Sequence, residues 1–185
     1  MVGHRRVVVA WQPGEGRFSA TGTHAGRSIW INAPRAPGEE RGATGFSATE
    51  LLLAGAGACS AWDIVEIIRK RREALTDLQV VIEGDQASDP PWEYERLVLH
   101  YRITGSRLRW AVLERVVRLA CVRYCSVLAT VRGVARIEAT LELVEADGTT
   151  SGRLPVRLDV DIAEPLDAGA RRDGAEPLEL AADED

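Results

Sequence analysis

The stretch ELLLAGAGACSAWDIVEIIRKRR, residues 50–72, determines the fold of this chain. Ser47 stands three residues before Glu50, which is a capping-box signature and predicts the start of a helix. The basic run that ends at Arg72 complements the negative end of the helix dipole. The sequence therefore predicts one long helix with Cys59 near its middle.

Residues 51–62 of this helix are uncharged, and small residues such as Gly55 and Gly57 lie on every side of it. A helix without a polar stripe must be covered all round, and one small sheet covers only one side. Each glycine in a helix costs ~1 kcal/mol relative to alanine. Glycines are therefore expected in a helix where another backbone approaches closely. We therefore expect a second copy of the chain to cover the rest of the helix, forming a homodimer. The uncharged run is too short to cross a bilayer, and we expect no membrane contact.

The remaining sequence alternates between strand and helix patterns. Residues 104–125 have a helical period, with Trp110, Leu113, Val117, Cys121 and Tyr124 on one face. The order is strands, long helix, strands, amphipathic helix and strands, and it predicts an α+β fold. Strand patterns lie at 5–33, 78–84, 95–103, 135–145 and 154–162.

Composition limits the classes of function. The chain has 185 residues and a formal net charge of -5, which fits one domain and argues against nucleic-acid binding. The N-terminus lacks a long apolar region, and three cysteines make an odd, sparse set. We therefore expect a cytoplasmic protein. We predict one domain over residues 1–164 and an acidic, disordered tail over residues 165–185.

Four segments in this order resemble the OsmC/Ohr family of thiol-dependent hydroperoxide reductases. They are ELLLAGAGACSAWDIVEIIRKRR, LTDLQVVIEGD, YERLVLHYRITG and RYCSV. The resemblance covers roughly residues 40–144, and CSAWDIV is more similar to the OsmC-like branch than to the dedicated organic hydroperoxide resistance enzymes. The segment 1–164 is accordingly expected to be an OsmC-like domain.

The resemblance implies a fold and a reaction. The fold is an intertwined homodimer in which two sheets wrap around paired central helices, with active sites at the subunit interface. Cys59 corresponds to the peroxidatic cysteine and Cys125 to the resolving cysteine, and they form a disulfide during turnover. An external dithiol, such as a lipoylated protein, or a small thiol regenerates the enzyme. Neither a cofactor nor a metal is implied.

The resemblance also implies charged residues that support the thiolate. Hydroperoxide resistance enzymes use a glutamate at the start of the central helix, and Glu50 is the carboxylate in that region. It lies one residue closer to the cysteine than in that branch. They also use an arginine from the N-terminal strands, for which GTHAGRS offers Arg27. His24 and Arg17 are the alternatives.

The residue types themselves allow this chemistry. A thiolate that attacks a peroxide becomes a sulfenic acid, and a second thiol condenses with it to a disulfide. Burial of Cys59 among apolar residues would raise its pKa, so we expect a cationic partner to hold the thiolate. Asp63, one turn later, would disfavour the thiolate, and we expect it to pair with an arginine.

Each candidate residue also has an alternative interpretation. Cys59 is also compatible with a small core residue in a tight helix crossing, and Glu50 with a helix cap alone. Cys121, four residues before Cys125 on the same predicted helix face, is either a core residue or a substitute resolving cysteine. His100 is expected on a strand surface.

Three functions are therefore considered. The first is a dithiol peroxidase that acts on organic hydroperoxides, with hydrogen peroxide as a further substrate. The second is a dimer whose apolar pocket binds a lipid-like ligand, with little or no peroxidase activity. The third is a metal site built from Cys59, Cys121, Cys125 and His100, to which the spacing of the cysteines is poorly suited.

Overall fold

The computed structural model of the chain describes residues 6–12, 17–22, 28–32 and 45–159. The architecture is α+β, as the sequence predicts, with two sheets and three α-helices in these residues. The predicted domain end at 164 and the predicted tail 165–185 lie outside the described residues. In chain order the elements are β1 (Val7–Gln12), β2 (Arg17–Gly22), β3 (Ser28–Asn32), α1 (Ala48–Lys70), β4 (Ala74–Gln86), β5 (Tyr94–Ser106), α2 (Trp110–Leu119), a π turn (Ala120–Tyr124), α3 (Ser126–Val131), β6 (Arg136–Glu145) and β7 (Thr150–Val156).

The long helix α1 begins at the predicted capping box. The Ser47 hydroxyl accepts a hydrogen bond from the Glu50 N–H at 3.2 Å, and the Glu50 carboxylate accepts one from the Ser47 N–H at 2.6 Å. The helix ends at Lys70, two residues before the predicted end, and Arg71 caps it. Reciprocal capping satisfies two backbone donors at the start of the helix and fixes where it begins.

The larger sheet has the strand order β4-β5-β6-β7 and supports the helices. β5 and β6 pair in parallel, with α2, the π turn and α3 between them in the chain, and the other neighbours are antiparallel. On β5, the side chains of Leu99, Tyr101 and Ile103 are buried towards the helices. The core between sheet and helices also contains Ile64, Ile68, Leu113, Val117, Leu128 and Leu141.

The smaller sheet, β1-β2-β3, is antiparallel, and its strands contact mainly one another. An isolated bridge between Ile31 and Phe46 connects it to the segment before α1. Val7, Val9 and Ile29 are exposed on this sheet. Much of the apolar surface of this sheet is therefore not covered by the described residues of one chain.

Much of α1 also lacks cover from the part of the chain that the structure describes. Only 28% of its most apolar window is buried, and Leu52 and Trp62 are exposed. The whole helix is long and apolar enough to cross a membrane by length and composition. One such helix is weak evidence for a membrane span, because the core helices of soluble proteins meet the same criteria.

The second predicted helix is interrupted, and this corrects the sequence-based interpretation. The regular part runs from Trp110 to Leu119, and the π turn follows. The N–H of Cys125 bonds to the carbonyl of Ala120 at 2.9 Å, and Cys125 then adopts an extended conformation before α3 begins. The insertion changes the helical register. Cys121 lies in the π turn and Cys125 follows it in an extended conformation, so the two cysteines do not belong to one continuous helix as predicted.

Candidate active site

Cys59 lies on the side of α1 that faces the start of α3. Its side chain is partly buried, and its Sγ lies 3.8 Å from the hydroxyl oxygen of Ser126. Cys125 and the backbone N–H groups of Ser126 and Val127 act on the acidity of this sulfur from the same side. The structure thus brings Cys59 and Cys125 together, as the family resemblance implies.

The surroundings of Cys59 make its thiol more acidic than usual. Burial by itself raises the pKa, but the hydrogen bonds from Val127, Cys125 and Ser126 outweigh burial and lower the pKa below the usual value. All of these donors are neutral groups. The described residues therefore account for the lowered pKa of Cys59 without the expected cationic partner.

Cys125 forms the N-cap of α3 and is buried. Its Sγ accepts a hydrogen bond from the Leu128 N–H at 3.4 Å and donates to the Ala56 carbonyl at 3.8 Å. Burial, followed by the neighbouring Cys59, raises the pKa of Cys125 to about 12. Of the two neighbouring thiols, Cys59 is therefore the one that ionises first.

Cys121 belongs to a separate buried hydrogen-bond network. Its Sγ lies 3.2 Å from the Tyr101 hydroxyl, which donates to the Ser60 hydroxyl at 2.8 Å. Ser60 in turn donates to the carbonyl of Ala56 at 2.9 Å. Between Tyr101 and Cys121 either atom can be the donor. The network joins β5, α1 and the π turn.

Burial has the largest effect on the acidity of Cys121. Burial raises its pKa to about 11, although Tyr101 and Arg132 act in the opposite direction. A protonated, buried thiol is a poor nucleophile. The geometry thus favours the core role for Cys121, and its role as a substitute resolving cysteine stays a prediction.

Sequence reasoning missed Ser60 and Tyr101 as members of the site. Ser60 is the one fully buried polar side chain among the described residues, and it directly follows Cys59. Two signals were present in the sequence. One is a serine within an apolar helical stretch, and the other is a tyrosine at an inward position of a strand, because buried hydroxyls need partners.

Glu50 and Cys59 lie on opposite sides of α1. Nine positions separate them in the sequence, and at ~100° per residue this amounts to about half a turn in net rotation. The carboxylate of Glu50 is bound by Ser47, whose backbone N–H lowers its pKa. Within one chain Glu50 serves as a cap, and its contribution to the reaction at Cys59 stays a prediction.

The candidate cations of the N-terminal strands are located only in part. Arg27 and His24 lie outside the described residues. Arg17 is on β2, and its guanidinium carbon stacks 3.9 Å from the centre of the Trp30 ring. The assignment of Arg27 to the site therefore stays a prediction.

The expected partner of Asp63 is not found. No arginine among the described residues pairs with it, and its Oδ2 is buried without a hydrogen-bond partner. Burial raises the pKa of this carboxyl group. The predicted Asp63–arginine pair is therefore wrong for the described part of a single chain.

His100 does not meet the cysteines. It lies on the opposite face of β5 from Tyr101, where its Nδ1 is 2.7 Å from the Thr140 hydroxyl and its Nε2 is 3.1 Å from the Glu83 carboxylate. Among the described residues, no group of three or more histidine, cysteine, aspartate or glutamate side chains is arranged to hold a metal ion. The metal site proposed from these four residues is not formed.

An open apolar groove runs between α1 and β4. Its volume is about 420 Å³, and its lining residues do not include Cys59. Glu50 lies at its wall together with Phe46, Leu53, Gly57, Ala61, Val80 and Ile82. The groove and the thiol pair therefore occupy different sides of the same helix.

Known proteins resemble this chain in sequence and in fold. A family model described as OsmC-like protein matches residues 39–140, more than half of the chain. Protein YhfA of Escherichia coli is 33% identical over 100 residues, which are 54% of this chain and 75% of YhfA. The OsmC-like protein of Mycoplasma pneumoniae superposes with a TM-score of 0.66 at 17% identity, covering 78% of this chain and 99% of that one. The organic hydroperoxide resistance protein OhrB of Bacillus subtilis gives 0.54 at 15% identity, covering 76% and 99%.

Proposed function

Because the chain belongs to the OsmC-like protein family, we propose that it is a thiol-dependent peroxidase that reduces organic hydroperoxides through a Cys59–Cys125 disulfide cycle. The observation that carries this proposal is the contact between two thiols of different acidity. Cys59 is partly accessible with a lowered pKa, whereas Cys125 is buried with a raised pKa. This is the arrangement that oxidation followed by condensation needs.

The proposed reaction has two oxidative steps and one reductive step. The Cys59 thiolate attacks the distal peroxide oxygen, the O–O bond breaks, and the alkoxide leaves as an alcohol after it takes up a proton. The resulting sulfenic acid condenses with the Cys125 thiol, which forms the disulfide and releases water. An external dithiol, such as a lipoylated protein, or a small thiol then reduces the disulfide to two thiols. No cofactor takes part, and we place the reaction in the cytoplasm as a defence against oxidative stress.

We further propose that the working form is an intertwined homodimer. The exposed apolar face of α1 and the exposed side chains of the smaller sheet support this, because both need cover that the described residues of one chain do not supply. The helix α1 would then pack against α1 of a second copy, with the sheets wrapped around the pair.

The dimer would also give Glu50 a role at the Cys59 thiolate. Glu50 lies on the side of α1 opposite to Cys59, so a role at the thiolate requires Cys59 of the other copy. We propose Arg27 as the cation that joins it, with His24 and Arg17 as alternatives. A mixed dimer of Glu50→Gln and Cys59→Ser chains would then contain one intact site, and activity above that of either parent dimer would support this arrangement.

We propose an alkyl or fatty-acid hydroperoxide as the preferred substrate. Residues 51–62 around Cys59 on α1 are uncharged and mostly apolar, and each buried CH₂ of a substrate would gain up to ~0.8 kcal/mol. An alkyl chain that stays bound beside the reacting oxygen in the transition state raises the specificity constant. Equal specificity constants for cumene hydroperoxide, a fatty-acid hydroperoxide and hydrogen peroxide would contradict this preference.

Peroxide consumption with dihydrolipoamide as reductant tests the main proposal. Cys59→Ser should abolish turnover, because the attacking thiolate is lost. Cys125→Ser should react once and trap a sulfenic acid, which dimedone labels, and Cys121→Ser should keep most of the activity. If Cys121→Ser behaves like Cys125→Ser, the resolving cysteine has been assigned wrongly. If Cys59→Ser keeps wild-type turnover, the peroxidase proposal fails.

A second candidate function is the binding of a lipid-like ligand with little or no peroxidase activity. The apolar groove between α1 and β4 favours it, because this groove is separate from the thiols. Titration of free thiols before and after peroxide distinguishes the two functions. A lipid-binding protein without peroxidase activity would keep its three thiols. The peroxidase would lose two of them per chain.

A further inference from the structure

Arg132 connects the end of α3 to the π turn. It is the C-cap residue of α3, and its guanidinium donates two hydrogen bonds to consecutive carbonyl groups. Nη2 bonds to the carbonyl oxygen of Cys121 at 2.8 Å, and Nη1 bonds to that of Val122 at 3.0 Å. The Arg132 side chain thus links the end of α3 to the π turn that precedes α3 in the chain.

The two carbonyl groups need this donor because the helix is interrupted. In a continuous α-helix they would accept bonds from the N–H groups of Cys125 and Ser126. The Cys125 N–H bonds instead to the Ala120 carbonyl, and the extended conformation of Cys125 ends the helix there. Arg132 takes the place of the missing helical donors.

The orientation of α3 then depends on contacts at its two ends. At its start the Cys125 sulfur accepts the Leu128 N–H, and at its end Arg132 holds the π turn. The Ser126 hydroxyl in the first turn of α3 lies 3.8 Å from the Cys59 sulfur, and the other groups that lower the Cys59 pKa belong to the N-cap and the first turn of α3. Hydrogen bonds weaken steeply when they are misaligned, so a rotation of this short helix would weaken the bonds to the Cys59 sulfur.

We infer that Arg132 is a positioning residue, which holds α3 at the angle where its first turn donates hydrogen bonds to the Cys59 sulfur. Its importance for catalysis rests on the proposed peroxidase function, but its effect on Cys59 does not. The other titratable groups near Cys59 are Cys125 on the side of α3 and Asp63, one turn later on α1. A change at Arg132 leaves both of them in the chain.

The experiment compares Arg132→Met and Arg132→Lys with the wild type in the pH dependence of Cys59 alkylation by iodoacetamide. Mass spectrometry of the Cys59 peptide separates this thiol from the other two. In Arg132→Met the midpoint should rise by at least about half a pH unit, which lowers the thiolate fraction about threefold at pH values below the midpoint. Lysine lacks the planar pair of donors, so Arg132→Lys should fall between the wild type and Arg132→Met. Arg136→Met is the matched control, since Arg136 is an exposed arginine that pairs with Glu138 on β6.

The outcomes of this experiment are distinct. A wild-type midpoint in a folded Arg132→Met protein overturns the inference. If Arg132→Met does not fold, Arg132→Lys is the test. An unchanged midpoint of Cys59 alkylation in Arg132→Lys then overturns the inference. A shift of the same size in Arg136→Met would show that loss of any nearby charge suffices, which overturns it as well. If Cys59→Ser keeps peroxide turnover while Arg132→Met shifts the Cys59 midpoint, the peroxidase proposal fails and the positioning role stands.

Discussion

Substitution of Tyr101 by phenylalanine removes one hydroxyl from the centre of the buried network. That hydroxyl donates to Ser60 at 2.8 Å and lies 3.2 Å from the Cys121 sulfur, so it joins β5 to α1 and to the π turn. The ring itself is fully buried, and phenylalanine fills the same space without the oxygen. The substitution therefore tests hydrogen bonding without creating a large cavity.

The expected loss follows from the bonds that disappear. A neutral intramolecular hydrogen bond contributes about 1 kcal/mol to stability, and the thiol is a weak donor that adds less. Ser60 keeps its bond to the Ala56 carbonyl, so no strong donor is left unsatisfied. We expect the free energy of unfolding to fall by about 1–2 kcal/mol. With a urea m-value of about 2 kcal/mol/M, the midpoint should fall by roughly 0.5–1 M.

The assay is urea unfolding followed by circular dichroism, at one fixed protein concentration because a dimer would make stability depend on concentration. Tyr94→Phe, at the start of the same strand, is the control and should change the unfolding free energy by less than about 0.5 kcal/mol. A double-mutant cycle with Ser60→Ala should give a coupling energy of about 1 kcal/mol. A coupling near zero would refute the reasoning, because the Tyr101–Ser60 bond would then contribute nothing measurable.

Three further predictions concern alkaline pH, packing and assembly. The folded pKa of Cys121, about 11, is above the unfolded value, so the unfolded state loses this proton first, and stability should fall as pH rises from about 9 to about 11. The fall should be smaller in Cys121→Ser, and equal slopes in urea unfolding at pH 8 to 10.5 would contradict the assigned acidity. Gly105→Ala should cost about 2 kcal/mol or more, because a Cβ would lie 2.5 Å from Leu108 Cδ1 and overlap the Ala74 carbonyl, whereas Gly22→Ala meets no atom within 4 Å. A similar melting temperature for both would contradict this. A Cβ at Gly55 would meet nothing within 4 Å, so Gly55→Leu should leave the monomer folded and weaken the dimer in sedimentation experiments, and an unchanged dimer would place the interface elsewhere.

The elements whose patterns are local could be predicted from the sequence. The capping box at Ser47 and the apolar run behind it give the start and the length of α1 to within two residues. The alternation along 95–103 correctly gives the inward face of β5, including Tyr101. In each case the pattern depends on side chains close together in the chain, so no tertiary contact is needed to read it.

The interruption before Cys125 could not be predicted in the same way. A π turn inserts one residue into a helix whose neighbouring residues remain apolar, so the hydrophobic period of 104–125 gives little sign of it. The predicted Asp63–arginine pair failed for a related reason, because the spacing of charges along a helix does not show which elements pack against it. The first error concerns local backbone geometry that side-chain patterns do not show, and the second concerns contacts made by other parts of the chain.

The lowered pKa of Cys59 comes from neutral hydrogen-bond donors. One of these donors, Cys125, also takes part in the second proposed oxidative step. The sequence suggested a cation because apolar neighbours raise a thiol pKa, but backbone N–H groups at the start of α3 have no side-chain signature. Cys125 is the nucleophile of the second oxidative step. Burial, and after it the neighbouring Cys59 sulfur, hold the Cys125 pKa high. Under the proposed chemistry, oxidation converts the Cys59 thiolate into a neutral sulfenic acid and removes the negative charge that opposed ionisation of Cys125. Oxidation of Cys59 therefore favours ionisation of the Cys125 thiol. The contact between the two sulfurs thus explains why Cys59 reacts first and Cys125 second.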